Sequence, residues 1–246
     1  AHLAFFTAPS GSLAERLRIT SDGKLLGGNY FTSQQIGAVT APVQIQGTSA
    51  DTSALSLFRY SNDTGGSRIT LGKGRGTSGG AADKPQENDT VGTIHFHIAN
   101  NNDLVNGNVA AIDAQVDAEP GGGDTPGRIR FLTSSDGSST LSERLRITNE
   151  GRLLIGTTSY PDGSADGISL RASNGERAFS RGSTNTRYQL VFYNPNGNVG
   201  RIETGGSSTS YLTSSDYRLK ENATAISDGI TRLKTLKPYR FNFKAD

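Results

Sequence analysis

One block of this chain occurs twice. Residues 3–31 read LAFFTAPSGSLAERLRITSDGKLLGGNYF, and Gly127–Tyr160 read GRIRFLTSSDGSSTLSERLRITNEGRLLIGTTSY. Glu15 aligns with Glu143, Leu17 with Leu145, Ile19 with Ile147 and Gly23 with Gly151, an offset of 128 positions. This is an internal repeat of a long module, present twice. In the first copy HLAFFTA reads as a strand, and Pro9, Ser10 and Gly11 as the turn that follows it. AERLRIT is then a second strand, with Leu17 and Ile19 on one face and Arg16 and Arg18 on the other. The glycine of SDGK allows a tight turn at positive φ, and KLLGG follows as a third short strand.

Composition limits how such modules can be stabilised. Of 246 residues 31 are glycine, and hydrophobic residues make up only 33%. Average glycine usage is about 7%, and no G-X-Y period makes this a collagen. Ordering each residue's backbone costs roughly 1–2 kcal/mol, and more at glycine. A monomer therefore has little apolar surface to offset that cost. The alternating runs point to apolar area shared between chains rather than to disorder. The 25 basic and 23 acidic residues leave a net charge of +2, which is no footprint for nucleic acid. No apolar run is long enough for a membrane span. Cysteine is absent, which excludes disulfide and thiol chemistry. The opening AHLAFFTAPSGS lacks the regions of a signal peptide and reads as mid-fold, as in a piece of a longer polypeptide.

Short strands are expected along most of the remainder. Between the two copies these are PVQIQG, ALSLFRYSN, SRITLGKG after the turn DTGG, TVGTIHFHIAN and NVAAIDAQVDAE, with EPGGGDTPG as a surface hairpin. RGTSGGAADKPQEND reads as a hydrophilic loop. After the second copy come DGISLRAS, AFSRGS, YQLVFYNPNG and VGRIETG, with NPNG as a hairpin turn, and then SSTSYLTSS.

The last stretch, Ser214–Asp246, reads SSDYRLKENATAISDGITRLKTLKPYRFNFKAD and differs from everything before it. Ile226, Ile230 and Leu233 lie at helical spacing, with Leu236 following and Gly229 weakening the helix by about 1 kcal/mol. KPYRFNFKA alternates as a strand that starts at Pro238. SDYRLKEN followed by LKPYRFNF resembles the start of the intramolecular chaperone domain found at the C-terminus of phage tail fibres and tailspikes, the self-cleaving S74 peptidase-like family. The repeated ERLRIT unit is similar to segments of phage fibre shafts that precede such a domain. The matched part is only the beginning of a domain that is normally longer. The resemblance implies a nucleophile at Ser215, a scissile bond Ser214–Ser215 and an activating base at Lys220, with Asp216, Arg218 and Glu221 in support. A serine hydroxyl needs such a base, and a lysine serves when its pKa falls from about 10.4 towards about 7–8. Because the sequence continues past that bond, an uncleaved or slowly cleaving version is expected, in which any cleavage is a single-turnover maturation step. The plain alternative is a solvated serine and lysine with no chemistry.

Other candidate sites are weaker. His95 and His97 share one strand face, but two histidines lack the remaining ligands of a zinc site, and satisfied polar histidines are the ordinary case. Asp113, Asp117, Glu119 and Asp124 surround a glycine-rich loop, where a glycosidase would need a carboxylate pair. Solvated loop acids are the simpler reading. Tyr60, Tyr160, Tyr188 and Tyr193 suit either sugar stacking or packing. GKGRGTSGG lacks the ending of a phosphate loop. Arg16, Arg18, Arg144 and Arg146 are expected to pair with Glu15 and Glu143 across chains.

The expectation is a mainly β chain, an elongated homotrimeric fibre of short β-strand modules with a short α+β C-terminal segment. Its divisions are 1–30, the first repeat; 31–126, a strand-rich domain; 127–160, the second repeat; 161–213, a distal β region; and 214–246, the chaperone-like start. The trimer comes from the resemblance, as do a virion and extracellular location, an adhesive role, and the partners: two identical chains, other tail proteins, and a host surface glycan or protein. No cofactor, nucleic acid or membrane insertion is expected. The alternatives are an autoproteolytic, chaperone-bearing tailspike with glycan hydrolase activity, and a non-adhesive tail or baseplate adaptor.

Overall fold

In the computed structural model, residues 1–8, 11–76, 83–101, 104–213, 221–222 and 224–240 are described. The fold is mostly β, with sheets that are antiparallel apart from one parallel pair and, among the described residues, one α-helix. The chain separates into two units, Ala1–Ser183 and Thr184–Asp246.

The first unit opens with β1 (Leu3–Thr7), β2 (Ala14–Ile19) and β3 (Leu25–Gly28), the three strands expected of the first repeat. They form an antiparallel meander. Gly23 turns β2 into β3 at φ +81, and the Gly23 N–H donates to Thr20 O at 3.0 Å. Residues 29–42 then cross over the sheet so that β4 (Val43–Gln46) pairs parallel with β3. A parallel pair requires a crossover of about a dozen residues or more. Gly28, at φ +98, permits the close approach at its end, since a Cβ there would fall 2.0 Å from Gln46 O.

The larger sheet of this unit has seven strands in simple chain order. They are β5 (Thr90–His97), β6 (Asn108–Val116), β7 (Gly127–Ser134), β8 (Leu141–Ile147), β9 (Arg152–Ile155), β10 (Gly167–Arg171) and β11 (Glu176–Ser180). All neighbours are antiparallel. The EPGGGDTPG stretch is the turn between β6 and β7, bridged at Gly121 and Asp124. The second repeat, β7–β8–β9, therefore lies in the middle of this sheet. The first repeat has β1 at an edge.

Both copies carry the same irregularity. Phe5 pairs with Leu17 but Phe6 pairs with Glu15, so Arg16 is an extra residue in β2. Phe131 pairs with Leu145 and Leu132 with Glu143, so Arg144 is extra in β8. Residues three apart on a regular strand point to opposite faces. The bulge adds one residue and restores the same face. This corrects the simple alternation expected for AERLRIT: Glu15 joins Arg18 on one face, while Leu17 and Ile19 stay together on the other.

Two strands expected before β5 are absent. Ala54–Tyr60 and Ser67–Leu71 alternate well in sequence but are not strands, and every residue from 53 to 76 is exposed. A strand is defined by a paired neighbour, and no described residue of the same chain provides one.

The second unit contains β12 (Arg187–Asn194), β13 (Gly197–Gly205) and β14 (Ser208–Thr213), an antiparallel meander whose first turn is the expected NPNG. Helix α1 (Gly229–Thr235) is shorter than the spacing suggested. Ile226 lies before it, and Gly229 is its first residue, where the penalty for interior glycine does not apply. Lys237–Arg240 are described but are not a strand, and the rest of the expected terminal strand lies outside the described residues.

Candidate functional site

The two faces of each sheet in the first unit have opposite chemistry, and the polar face is the buried one. Across the seven-stranded sheet one row of paired residues runs Thr93, Asp113, Arg130, Arg146, Leu154, Ser169, Ala178. Arg130 donates from Nε and Nη2 to both oxygens of Asp113, at 2.8 and 2.6 Å, and lies 3.5 Å from Glu143 Oε2. Arg146 Nη2 donates to Glu143 Oε2 at 2.7 Å, and its Nη1 reaches Thr158 O at 3.2 Å on the loop covering this face. Beside this row Arg128 donates to Asp117 Oδ1 at 2.9 Å and to Asn88 Oδ1 at 2.6 Å. Asp113, Gln115, Arg128 and Ser169 are all buried, as are Leu154 and Ala111.

Electrostatics follow from this pairing. Asp113, partly opposed by burial, holds the Arg130 pKa above its ordinary value. Burial alone would raise Asp117, but the Asn149 N–H and the Arg128 guanidinium outweigh it and hold the carboxyl below its ordinary range. In the first repeat the Arg18 guanidinium likewise lowers Glu15. Arg18 bonds both Glu15 oxygens, at 2.6 and 2.7 Å, and donates to Phe31 O at 3.0 Å. These arginine–glutamate pairs form within one chain, because the bulge places the two residues side by side. Arg16 and Arg144 bond no glutamate. Each donates instead to a strand threonine, Thr7 at 2.8 Å and Thr133 at 2.9 Å.

The opposite face is apolar and uncovered. Its central row crosses all seven strands as Ile94, Ile112, Phe131, Leu145, Ile155, Ile168, Phe179. Not one member is polar. Ile94 is 55% exposed, and Phe131, Ile155 and Phe179 are also exposed. The four-stranded sheet repeats the pattern, with rows Leu3–Ile19–Leu25–Val43 and Phe5–Leu17–Gly27–Ile45, of which Leu3, Phe5, Val43 and Ile45 are exposed. In the second unit Leu190, Phe192 and Tyr211 are exposed on the sheet, as are Ile230 and Leu233 on α1.

The accessible area is large to match. The chain leaves 18856 Å² accessible. A globular monomer of 26.0 kDa exposes about 10,500 Å², and two separate bodies of these unit sizes about 12,500 Å². Large exposed apolar patches mark interaction surfaces. The excess is about 6,000 Å² or more, and the wholly exposed residues 53–76 contribute to it.

The sequence-predicted site residues fare differently. Ser214, Ser215, Asp216, Arg218 and Lys220 lie outside the described residues, and Glu221 is described and exposed. His97 is tied into the fold, with Nε2 2.6 Å from Leu104 O and 3.2 Å from Gly107 N, while His95 is exposed on β5. Among the described residues no cluster of three or more histidines and acids is placed to hold a metal. Asp113 and Asp117 are engaged by arginines and Glu119 by Lys84 at 2.7 Å, an arrangement of ion pairs rather than a free carboxylate pair. Tyr160 and Tyr188 lie under Arg152 and Arg201, each with its ring centre 4.8 Å from the guanidinium carbon, and Tyr60 packs on Phe58. Arg75, from the GKGRG stretch, bonds both oxygens of Asp89. No described helix is long and apolar enough to cross a membrane. The apolar ladder was missed in sequence because it needs the strand register. Its only early sign was the alternation of Ile94 and Phe96. Comparison with protein-family models and with curated proteins finds no match.

Proposed function

We propose that this chain is a structural and adhesive phage tail-fibre protein that assembles as an elongated homotrimer and meets the host cell surface from the virion. The observation that carries the assembly is the uncovered seven-residue ladder from Ile94 to Phe179, on a chain whose polar sheet face is already buried. Two identical chains are its occupants: the other sheet and the second unit carry the same kind of apolar face, so one contact type serves the whole chain. The tail-fibre identity rests on the SDYRLKEN and LKPYRFNF resemblance and on the repeated ERLRIT unit.

Charge placed in the ladder tests the assembly. Phe131→Lys and Ile155→Lys dissociate the oligomer in sedimentation experiments, whereas Arg177→Lys, on an exposed position, leaves it intact. An unchanged sedimentation coefficient in both ladder variants overturns this reading. Binding of labelled protein to bacterial cells or their purified surface polysaccharides tests adhesion, and a non-adhesive tail adaptor shows none. Self-cleavage before Ser215 is tested on a denaturing gel, where it appears as a mass loss abolished by Ser215→Ala and Lys220→Ala. Loss of polymer length in a surface polysaccharide would instead favour the hydrolase alternative.

A further inference from the structure

Residues 54–72 have the sequence of a β-hairpin and the surroundings of none. Leu55 and Leu57 alternate with Phe58 and Tyr60 on the other side, and Ile69 and Leu71 repeat the pattern after Asp63–Gly66. Phe58 and Tyr60 rings lie 4.6 Å apart, as two residues on one side of an extended segment do. Yet no backbone–backbone hydrogen bond joins residues 54–74 to another described residue. Leu55 is 70% exposed, Phe58 75% and Tyr60 91%. The segment combines strong β propensity, apolar residues on both sides, and backbone groups that, apart from the Asp63 and Gly65 N–H in the turn, which donate to Ser61 Oγ and Asp63 Oδ1, have no hydrogen bond to a described residue.

We infer that residues 54–60 and 67–72 become β-strands by pairing with a second copy of this chain. The inference rests on the oligomeric reading above and names where the copies exchange backbone hydrogen bonds. Three features favour a like chain as the occupant. The segment's apolar residues match the uncovered ladder in chemistry, so pairing and ladder burial proceed in one event. Leu71 already lies over the ladder-side face of β5, where a Cβ on Gly92 would fall 2.5 Å from its Cβ, so the segment sits on the outermost strand of the very sheet that carries the ladder. Charge also permits close self-contact, since Arg59 is paired with Asp63 inside the segment and Arg68 is the one further charged side chain from Ala54 to Gly72. Extended segments that add to a sheet edge gain affinity from main-chain bonds and specificity from alternate side chains.

Hydrogen exchange on the purified protein tests this, read by mass spectrometry alongside the oligomeric state of the same sample. The expected result is an oligomer in which amides of 54–60 and 67–71 exchange at least about 100-fold more slowly than an unstructured chain. Dilution or mild denaturant that dissociates the oligomer should release that protection. Leu57→Pro and Ile69→Pro should each remove it, while Asn62→Pro, between the two strands, should preserve it. An oligomer whose 54–72 amides exchange at unstructured rates overturns the inference and leaves the assembly reading standing. A monomer overturns both. Protection that persists in dissociated chains shows the segment pairing within its own chain and also overturns the inference. Protection that appears only when a different protein is added identifies another partner and does the same.

Discussion

The two copies of the repeat fold alike and are used differently. Each has three strands, the same bulged arginine, the same arginine–glutamate pair and one fully buried leucine, Leu26 or Leu154. Beyond that they diverge. The second copy has β6 beside it, and its first strand offers Arg130 to Asp113 of that neighbour. The first copy has nothing beside β1 among the described residues, and the residue paired with Arg18 is Ala4, where Arg130 pairs with Arg146. After the third strand, the first copy continues into parallel β4 and the second into antiparallel β10. The bulge and its ion pair thus belong to the module itself, whereas the extended charge network belongs to the neighbour. Repetition preserved what the local chain can satisfy alone.

The sharpest way to break this comparison is Arg130→Met. It leaves Asp113 buried and Glu143 half-buried, with one cation lost between them, and should cost about 3–5 kcal/mol in denaturant unfolding at fixed protein concentration. Arg18→Met in the first copy, where one carboxylate, Glu15, loses its partner instead of two, should cost clearly less. Equal losses would mean that the neighbour adds nothing. Next come Leu26→Ala and Leu154→Ala, each expected to cost about 2–5 kcal/mol and by similar amounts, because both leucines are enclosed by the same three-strand unit. A large inequality would show that one copy packs loosely.

Gly23→Ala and Gly151→Ala should each cost about 1–2 kcal/mol, since both turns need positive φ while leaving open space around the new methyl. The smallest effect is in acid. Glu15 and Asp117 are held below their ordinary values, and the Lys24 ammonium and Thr20 hydroxyl push Asp22 down to about 2. The unfolded chain then binds protons first, so these carboxylates contribute their full stability above an unfolded pKa of about 4 and lose it as pH falls through the lowered folded values. Thermal melting should be flat from neutral pH to about pH 4.5 and decline below it. A decline beginning near pH 6 would point to histidine instead.

Much of the fold is readable in the sequence. The repeat, its glycine turns, the NPNG hairpin and the strand character of β6 follow from spacing and turn chemistry. The bulge did not, because an extra residue leaves no mark on alternation. Its one sign was Glu15 and Arg18 recurring three apart as Glu143 and Arg146. The ladder was hidden for a different reason: Ile94 and Phe179 are distant in sequence and meet in one row only through six successive registers. Residues 54–72 misled because local alternation states a preference for pairing without naming the partner. Of the candidate sites, His97, Asp113, Asp117 and Glu119 are tied into loops and ion pairs, contacts set by residues distant in sequence, as Lys84 is from Glu119.

Native mass measurement at micromolar concentration tests the central claim most directly. The account predicts a particle of three chains, each 26.0 kDa. A stable single chain of 26.0 kDa that keeps its β-sheet signal and binds no apolar dye would contradict it.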